Sequence, residues 1–406
     1  MTAVPSSSPE SETAAPLYAF DGSISYGVLK NYLSRSITYS LFDSSAYGIE
    51  KDVSAILEIG AKHIARAAGV WITGGFELGR AATYREIIEL THQTDPDVVF
   101  EACLFETTSR GVEQIDIPAF VFEAFGLPVE DRAFSYQAML YPDKRYVDHW
   151  GKDQSVPDIS QLETQMFMFW HAAFYIDAGF EGLHWGQVHL MGENDTDFAC
   201  WTKVLDLTRR YAGEHARRHF VLNNAHTHGI HGTDGKLLFD FHSFPSRLTT
   251  PPGAQAHPPT AENPQEAILV QGSPDVIYGK SMGGLTHSGW SCDALPYTVE
   301  LDNYGGIRDV ESMNKPGIDF WPWGYDEISW FANQPKAYRA SWLEYAYKQV
   351  QEFDDFGYLV MPGSRGITLY LEDTPDQPMT GMYYALLTGD IDAYKLIWDS
   401  YAAPLK

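Results

Sequence analysis

Short apolar strands alternate with amphipathic helices along this chain of 406 residues, and the alternation limits the folds open to it. Residues 36–41, 97–103 and 237–241 predict strands. Residues 49–61 predict a helix with Val53, Ile56 and Leu57 on its apolar side, and a long helix is predicted to begin at Asp158 as its N-cap. Parallel neighbours in a sheet are usually joined by a crossover helix. The pattern therefore favours a parallel sheet over an antiparallel one.

The number of predicted strands points to one particular α/β architecture. We count seven or eight strands between residues 36 and 325, which predicts a (β/α)8 TIM barrel with long loops. The seventh strand is either 267–270 or 297–302, and in the second case Asp319–Trp323 is the eighth. No glycine-rich nucleotide motif follows a predicted strand, which argues against a dinucleotide-binding or P-loop fold.

Composition limits the possible domain organisation and binding partners. We expect a disordered tail over residues 1–15, a catalytic barrel over 16–360 and a C-terminal extension over 361–406. The net charge of −26 makes nucleic acid a poor partner. No apolar run approaches the roughly 18 residues of a membrane span, so we expect no membrane partner.

Cysteine usage and the N-terminal residues predict the compartment. Three widely spaced cysteines without a CxxC pattern argue against a disulfide framework or a zinc knuckle, and they favour a reducing environment. No secretory signal is visible, so we expect a cytoplasmic protein, with a trimmed secreted form as the alternative. Homo-oligomerisation is left open. The cysteines are Cys103, Cys200 and Cys292.

The stretch 297–304, YTVELDNY, concentrates acidic residues on one face of a predicted strand. Alternation places Thr298, Glu300 and Asp302 on that face. A buried carboxylate without a partner costs several kcal/mol, so these acids need either partners or a chemical task. They are either functional or a structural pair that holds the following loop.

Polar residues gather where the predicted strands end, which is where a barrel of this type carries its active site. We predict that Glu300, Glu101 and Glu106 are catalytic, that no metal is bound and that no cofactor is needed. The residues predicted to bind substrate are Arg66, Trp71, Trp185, Gln187, His189, Asn224, His226, His228, Asp240, His242, Asp302 and Trp323.

Two motifs and the aromatic strand ends resemble the (β/α)8 glycoside hydrolases, in particular the large retaining clan of that fold. The motifs are FEACLFE at 100–106 and YTVELDN at 297–303, and the resemblance spans roughly residues 32–350. It implies hydrolysis of a glycosidic bond in a neutral oligo- or polysaccharide by a pair of carboxyl groups.

The resemblance also implies positions for the two carboxyl groups. The clan usually carries an acid/base Glu after the fourth strand, often in an Asn-Glu pair, and a nucleophilic Glu after the seventh. Glu300 fits the second position, whereas Gln187 stands at the first. The acid is then expected to be Glu101 or Glu106, with Glu101 ahead, or else Glu193.

Two alternatives remain open. The HTH motif puts His226 and His228 on one face of an extended segment, and Asp240 and His242 follow, a set suited to zinc or manganese in a metal-dependent hydrolase or isomerase. The other alternative is a non-catalytic carbohydrate-binding barrel.

Overall fold

The computed structural model describes residues 17–69, 78–255, 257, 259–270, 281–302, 326–369 and 379–405. The strands of the main sheet are β1 (Ser36–Tyr39), β2 (His63–Ala68), β3 (Val99–Cys103), β4 (Gly182–His184), β5 (Leu222–Ala225), β6 (Phe241–Pro245), β7 (Tyr297–Glu300), β8 (Gly357–Leu359), β9 (Met361–Leu369) and β10 (Met379–Tyr384). The helices are α1 (Tyr26–Leu33), α2 (Ile49–Glu58), α3 (Ala81–Thr94), α4 (Ala119–Ala124), α5 (Tyr136–Met139), α6 (Leu162–Asp177), α7 (Val188–Met191), α8 (Ala199–His215), α9 (Glu327–Ala332), α10 (Lys336–Phe353), α11 (Ala385–Thr388) and α12 (Ile391–Tyr401), with a 3-10 helix at Arg110–Gln114.

The ten strands form one large, curled sheet in a mixed α/β fold. Their order is β8-β7-β6-β5-β4-β3-β2-β1-β9-β10, and every neighbouring pair is parallel except β9 and β10. β8 and β9 are separated by Val360 alone, although β8 pairs with β7 and β9 pairs with β1. A single segment, 357–369, therefore contacts strands at both ends of the parallel series.

Several predicted elements lie elsewhere than expected. The run 267–270 does not join the main sheet, because Ile268–Leu269 forms a separate antiparallel ribbon with Leu248–Thr249, so the seventh strand is β7. The strand predicted at 237–241 begins only at Phe241, since Leu238 donates its amide to Ile230 in a loop.

The long central helix and the end of the chain also differ from the prediction. α6 begins at Leu162, because the carboxylate of Asp158 instead accepts the amide of Ser160 in the preceding turn. The strands at 357–369 were not predicted. Residues 1–15 and the alternative strand Asp319–Trp323 lie outside the described residues.

The first described residues close the amino ends of the strands. Tyr18, Phe20 and the buried side of α1 form an apolar cluster with residues at or near the start of β3, β5, β6 and β8, including Val99 and Leu222. The amide of Gly22 is bonded to the carbonyl of Arg218. Apolar burial thus seals one end of the sheet and leaves the carboxyl ends accessible. Among the described helices, none is long and apolar enough to cross a membrane.

Candidate functional site

A cavity of about 450 Å³ opens at the carboxyl ends of the strands. Residues from or just after eight strands reach it, since parallel strands all end on the same side. The residues around it are Ser40, Asp43, Arg66, Ala68, Gly69, Cys103, Phe105, Glu106, Trp150, His184, Gln187, His226, Pro245, Asp302, Arg365 and Gly366.

Two residues on the cavity wall have a left-handed backbone. Arg66 in β2 has φ of 54° and Phe105 after β3 has φ of 44°. Such a conformation costs an L-residue of order 1–3 kcal/mol and is concentrated at functional sites. The amide of Arg66 donates to Oε1 of Glu101 at 3.3 Å, a contact that helps to hold the strained conformation.

Glu300, at the end of β7, lies between two arginines at the floor of the cavity. Nη2 of Arg66 donates to one carboxylate oxygen, and Nη1 of Arg365 donates to the other at 3.0 Å. Burial would raise the pKa of Glu300, but the charges of Arg66 and Arg365 outweigh it and lower that pKa to about 2. Glu300 is consequently a carboxylate at neutral pH.

The depressed pKa of Glu300 predicts a loss of stability in acid. Its carboxylate stabilises the fold above the unfolded-state value near 4.5, and this contribution disappears as the pH falls toward about 2. The shift corresponds to a loss on the order of 3 kcal/mol over this range. Urea unfolding at pH 5 and pH 3 should show a steeper loss for the wild type than for Glu300→Gln. Equal pH dependence of the two proteins would contradict the ion-pair assignment.

Below the cavity floor, Glu101 belongs to a buried polar network. Its Oε2 accepts Nδ2 of Asn224 at 2.6 Å and lies 3.2 Å from Nε2 of His63. Oδ1 of Asn224 in turn contacts Nδ1 of His184 at 2.7 Å. Burial opposes ionisation of Glu101, yet the close approach of His63 and the charges nearby lower its pKa. This network supports the strand ends from inside the sheet.

Glu106 is part of the cavity wall itself. Its two carboxylate oxygens accept the amide of Gln187 at 3.0 Å and the side-chain Nε2 of the same residue at 2.8 Å. Gly186 has φ of 68°, and a Cβ atom there would collide with Oε2 of Glu106. Trp150 donates Nε1 to the carbonyl of Glu106 at 3.0 Å. A tight turn after β4 and a loop tryptophan therefore fix this carboxylate.

Asp302 brings a second carboxylate to the cavity, two residues after β7. Its amide donates to Oε2 of Glu327 at 3.2 Å, and Oδ2 lies 3.7 Å from Nη1 of Arg247. Glu327 is fully buried and also accepts Oγ of Ser246 at 3.1 Å. Burial raises the pKa of Glu327 well above its ordinary value, with Arg247 opposing the shift. Glu327 thus joins the ends of β6 and β7 and fixes the backbone of Asp302.

His226 connects the floor to the wall. Nδ1 lies 3.1 Å from the carbonyl of Ser243, so it carries the proton, and Nε2 accepts Nη2 of Arg66 at 3.1 Å. Burial and the charge of Arg66 lower the pKa of His226. The imidazole is therefore neutral and orients Arg66.

The structure separates the predicted site residues into groups. Glu106, Arg66, Gln187, His226 and Asp302 line the cavity. Glu101, Asn224 and Glu300 lie in a smaller space beneath it. Trp71 and Trp323 lie outside the described residues.

Other predicted substrate ligands do not line the cavity. Trp185 is fully buried and packs edge-to-face on Trp201, so it belongs to the core and is not available as a sugar platform. The buried carboxylate of Asp240 accepts the amide of Asn223 at 2.8 Å. Nδ1 of His242 is bonded to Oγ of Ser281 at 2.6 Å.

His189 and His228 are also not among the residues that line the cavity. Nε2 of His189 contacts Oγ1 of Thr227 at 2.8 Å. The ring of His228 lies 5.7 Å from that of Phe244. The predicted alternative acid Glu193 is bound to Arg145 and Tyr146 at the surface.

Arg365 and Trp150 are among the cavity residues that the sequence analysis did not predict. Arg365 lies in β9, where Pro362, Gly363 and Gly366 obscure the strand pattern. Trp150 lies in the long connection between β3 and α6, and no periodic pattern marks it. A search of 357–369 for a glycine-containing apolar strand would have found Arg365.

The metal-binding alternative finds no support in the arrangement of its residues. Across the described residues, no three His, Cys, Asp or Glu side chains come together in a group that could hold a metal ion. His226, His228, Asp240 and His242 accordingly do not form the predicted set. Three of them have other hydrogen-bond partners: His226 contacts the carbonyl of Ser243, Asp240 accepts the amide of Asn223, and His242 contacts Ser281.

Among the comparisons with known proteins, only the comparison with solved structures gives matches. No protein-family model matches the chain, and no curated protein does. Solved structures that resemble it include the debranching enzyme from Nostoc punctiforme, with 14% identity, a TM-score of 0.30 and coverage of 48% of this chain and 42% of that one.

Two further structures of that protein also resemble the chain. The native form has 16% identity, a TM-score of 0.30 and coverage of 52% of this chain and 49% of that one. The acarbose-soaked form has 14% identity, a TM-score of 0.41 and coverage of 88% and 72%. The chain thus spans less than half of the first two structures. TM-scores this low carry no weight for function, which we base on the geometry of the cavity.

Proposed function

We propose that the sheet closes into a (β/α)8 barrel and that the protein hydrolyses a glycosidic bond in the cavity at its carboxyl end. Support for closure comes from the segment 357–369, which pairs with β7 through its first residues and with β1 through the next ones. In a ring of eight parallel strands, β3 and β7 stand opposite each other. The carboxylates of Glu106 and Asp302 would then face each other across the cavity.

The observation that carries the proposal is that two carboxyl groups, those of Glu106 and Asp302, line one cavity. Hydrolysis needs one carboxylic acid to protonate the leaving oxygen and one carboxylate to attack the sugar or to activate water. We assign the first task to Glu106, because Phe105 and Trp150 adjoin it on the cavity wall and a bound sugar would exclude water from it. Asp302 is assigned the second task.

Glu300 and Glu101 receive supporting tasks. Glu300 is required because it orients Arg66 and Arg365, both of which line the cavity. Glu101 holds the strained backbone of Arg66. In this proposal Glu106 replaces Glu101 as the leading candidate for the acid.

The proposal is tested by assaying the purified protein with a panel of aryl glycosides and oligosaccharides, beside Glu106→Gln and Asp302→Asn. The wild type is expected to hydrolyse oligosaccharides, and both variants are expected to lose this activity. Hydrolysis at the wild-type rate in both variants would contradict the assignment. Binding of oligosaccharides without any cleavage would favour the non-catalytic alternative.

Trp150 is expected to act as a sugar platform, because its ring lines the cavity beside Glu106. We predict that Trp150→Ala raises KM about tenfold, as the loss of one stacking contact worth about 1 kcal/mol or more implies. Trp150→Phe keeps an aromatic face but loses the indole N–H, so it should recover most of the affinity. Equal KM values for all three proteins would rule out stacking at this position.

Chelation provides a separate test of the metal alternative. We predict that prolonged EDTA treatment and dialysis leave the activity unchanged, because Glu106 and Asp302 supply the acid and the carboxylate themselves. Metal analysis of the same samples is the control. Loss of activity that zinc or manganese restores would support a metal-dependent hydrolase.

A further inference from the structure

The cavity has two arginines at its floor, in a chain whose net charge is −26. The side chain of Arg66 is 16% exposed and that of Arg365 is 8% exposed. Both arginines contact the same carboxylate, that of Glu300. A buried cation is costly unless it is paired, and Glu300 supplies a partner to each of these arginines.

Some hydrogen-bond donors of the Arg66 side chain have no partner among the described residues. Within the described part of the chain, its side-chain hydrogen bonds all come from Nη2, which contacts Glu300 and His226. Nε and Nη1 have no hydrogen-bond partner there, and neither is among the buried polar atoms that lack one. These two N–H groups are therefore accessible at the cavity, and each can donate one charge-assisted hydrogen bond to an acceptor on a ligand. They do not form a fork, because both fork edges of the guanidinium include Nη2, which is bonded to Glu300 and His226.

Arg66 is also held in position before any ligand arrives. Its backbone is left-handed, its amide is bonded to Glu101, and its guanidinium is fixed by Glu300 and by the neutral ring of His226. A group that is already oriented loses little freedom when it binds a ligand. Strain of this kind is characteristic of ligand clamps.

We propose that the sugar unit bound in this cavity carries a carboxylate, as a uronic acid does, and that Arg66 binds this carboxylate through a charge-assisted hydrogen bond from Nε or Nη1. The inference rests on the proposed function and names its substrate class. A carboxylate fits better than a phosphate ester because Asp43, Glu106 and Asp302 also line the cavity. A phosphate carries close to two negative charges at neutral pH, and these acids would repel it more strongly than a single charge.

The test combines binding and hydrolysis. Calorimetric titrations of the wild-type protein with glucuronate, glucose and glucose 6-phosphate should show glucuronate binding at least about tenfold more tightly than either of the others. Arg66→Gln should abolish that preference, since it removes the charged donors that would bind the carboxylate. Arg66→Lys retains the charge and should keep part of the preference. Arg110→Gln is the control, because Arg110 is 54% exposed and pairs with Glu113 and Asp153 at the surface.

Equal affinity for glucose, tightest binding of glucose 6-phosphate, or no glucuronate binding at millimolar concentration would overturn the inference. Circular dichroism of each variant shows whether it folds, and if Arg66→Gln does not, the wild-type comparison still decides. Assays with both anomers of aryl glucuronides and aryl glucosides separate the two proposals. Cleavage of glucosides alone refutes the uronate and leaves glycoside hydrolysis intact. Tight glucuronate binding without any cleavage refutes hydrolysis and leaves the uronate site intact.

Discussion

The Glu106→Gln protein is expected to cleave unactivated oligosaccharides about 10²- to 10⁴-fold more slowly than the wild type, which is the usual contribution of a positioned general acid. Gln has nearly the same shape as Glu but has no proton to give to the leaving oxygen. Aryl glycosides with good leaving groups need little protonation, so their cleavage should fall far less. The measurement is kcat/KM on both substrate types.

Two controls separate the acid from its surroundings. Glu113→Gln changes a half-exposed carboxylate outside the cavity, in the 3-10 helix that follows β3, and should keep full activity. Glu101→Gln should lower the rates on both substrate types together, because Glu101 supports Arg66 and does not line the cavity. A selective loss on natural substrates in Glu101→Gln, with Glu106→Gln unaffected, would return the acid to Glu101.

Glu300→Gln is expected to remove most of the activity and to destabilise the protein, while the fold persists. The substitution takes the shared carboxylate away from Arg66 and Arg365 and leaves two buried cations in contact with a neutral amide. Breaking a buried ion pair costs about 3–5 kcal/mol, which lies within the 5–15 kcal/mol that a folded domain commonly has in reserve.

The expected outcome is measured by circular dichroism, by urea unfolding and by kcat/KM. A native spectrum with a lowered free energy of unfolding and little activity is the predicted result. The control is Glu193→Gln, since Glu193 pairs with Arg145 at the exposed surface and should affect neither quantity appreciably. A wild-type kcat in Glu300→Gln would show that Arg66 and Arg365 do not need the carboxylate of Glu300 to hold them in position.

The sequence specified the site best where alternation and strand ends coincide. The run 297–302 predicted both β7 and the inward direction of Glu300, and the run 97–103 predicted β3 and its acids. When a strand is buried on both faces, its sequence does not indicate which side chains face the cavity. Trp185 was therefore predicted to bind substrate, although it packs on Trp201.

Contacts between segments that are far apart in the chain could not be predicted from local sequence patterns. Arg365 meets Glu300 only because β9 pairs with β1, and the glycines of β9 weaken its strand pattern. The same applies to Trp150, whose place beside Glu106 depends on the path of a long loop. The local periodicity of the sequence does not indicate either of these contacts.

The segment 357–369 has a consequence for how the chain is made. β1 and β7 each lack one neighbour until this segment arrives, so a nascent chain that ends before residue 357 exposes two unpaired strand edges. Such edges can pair with other chains. Most of the chain must therefore be synthesised before these two strand edges can be paired. Premature termination or proteolysis in α10 should yield aggregates instead of a smaller folded protein.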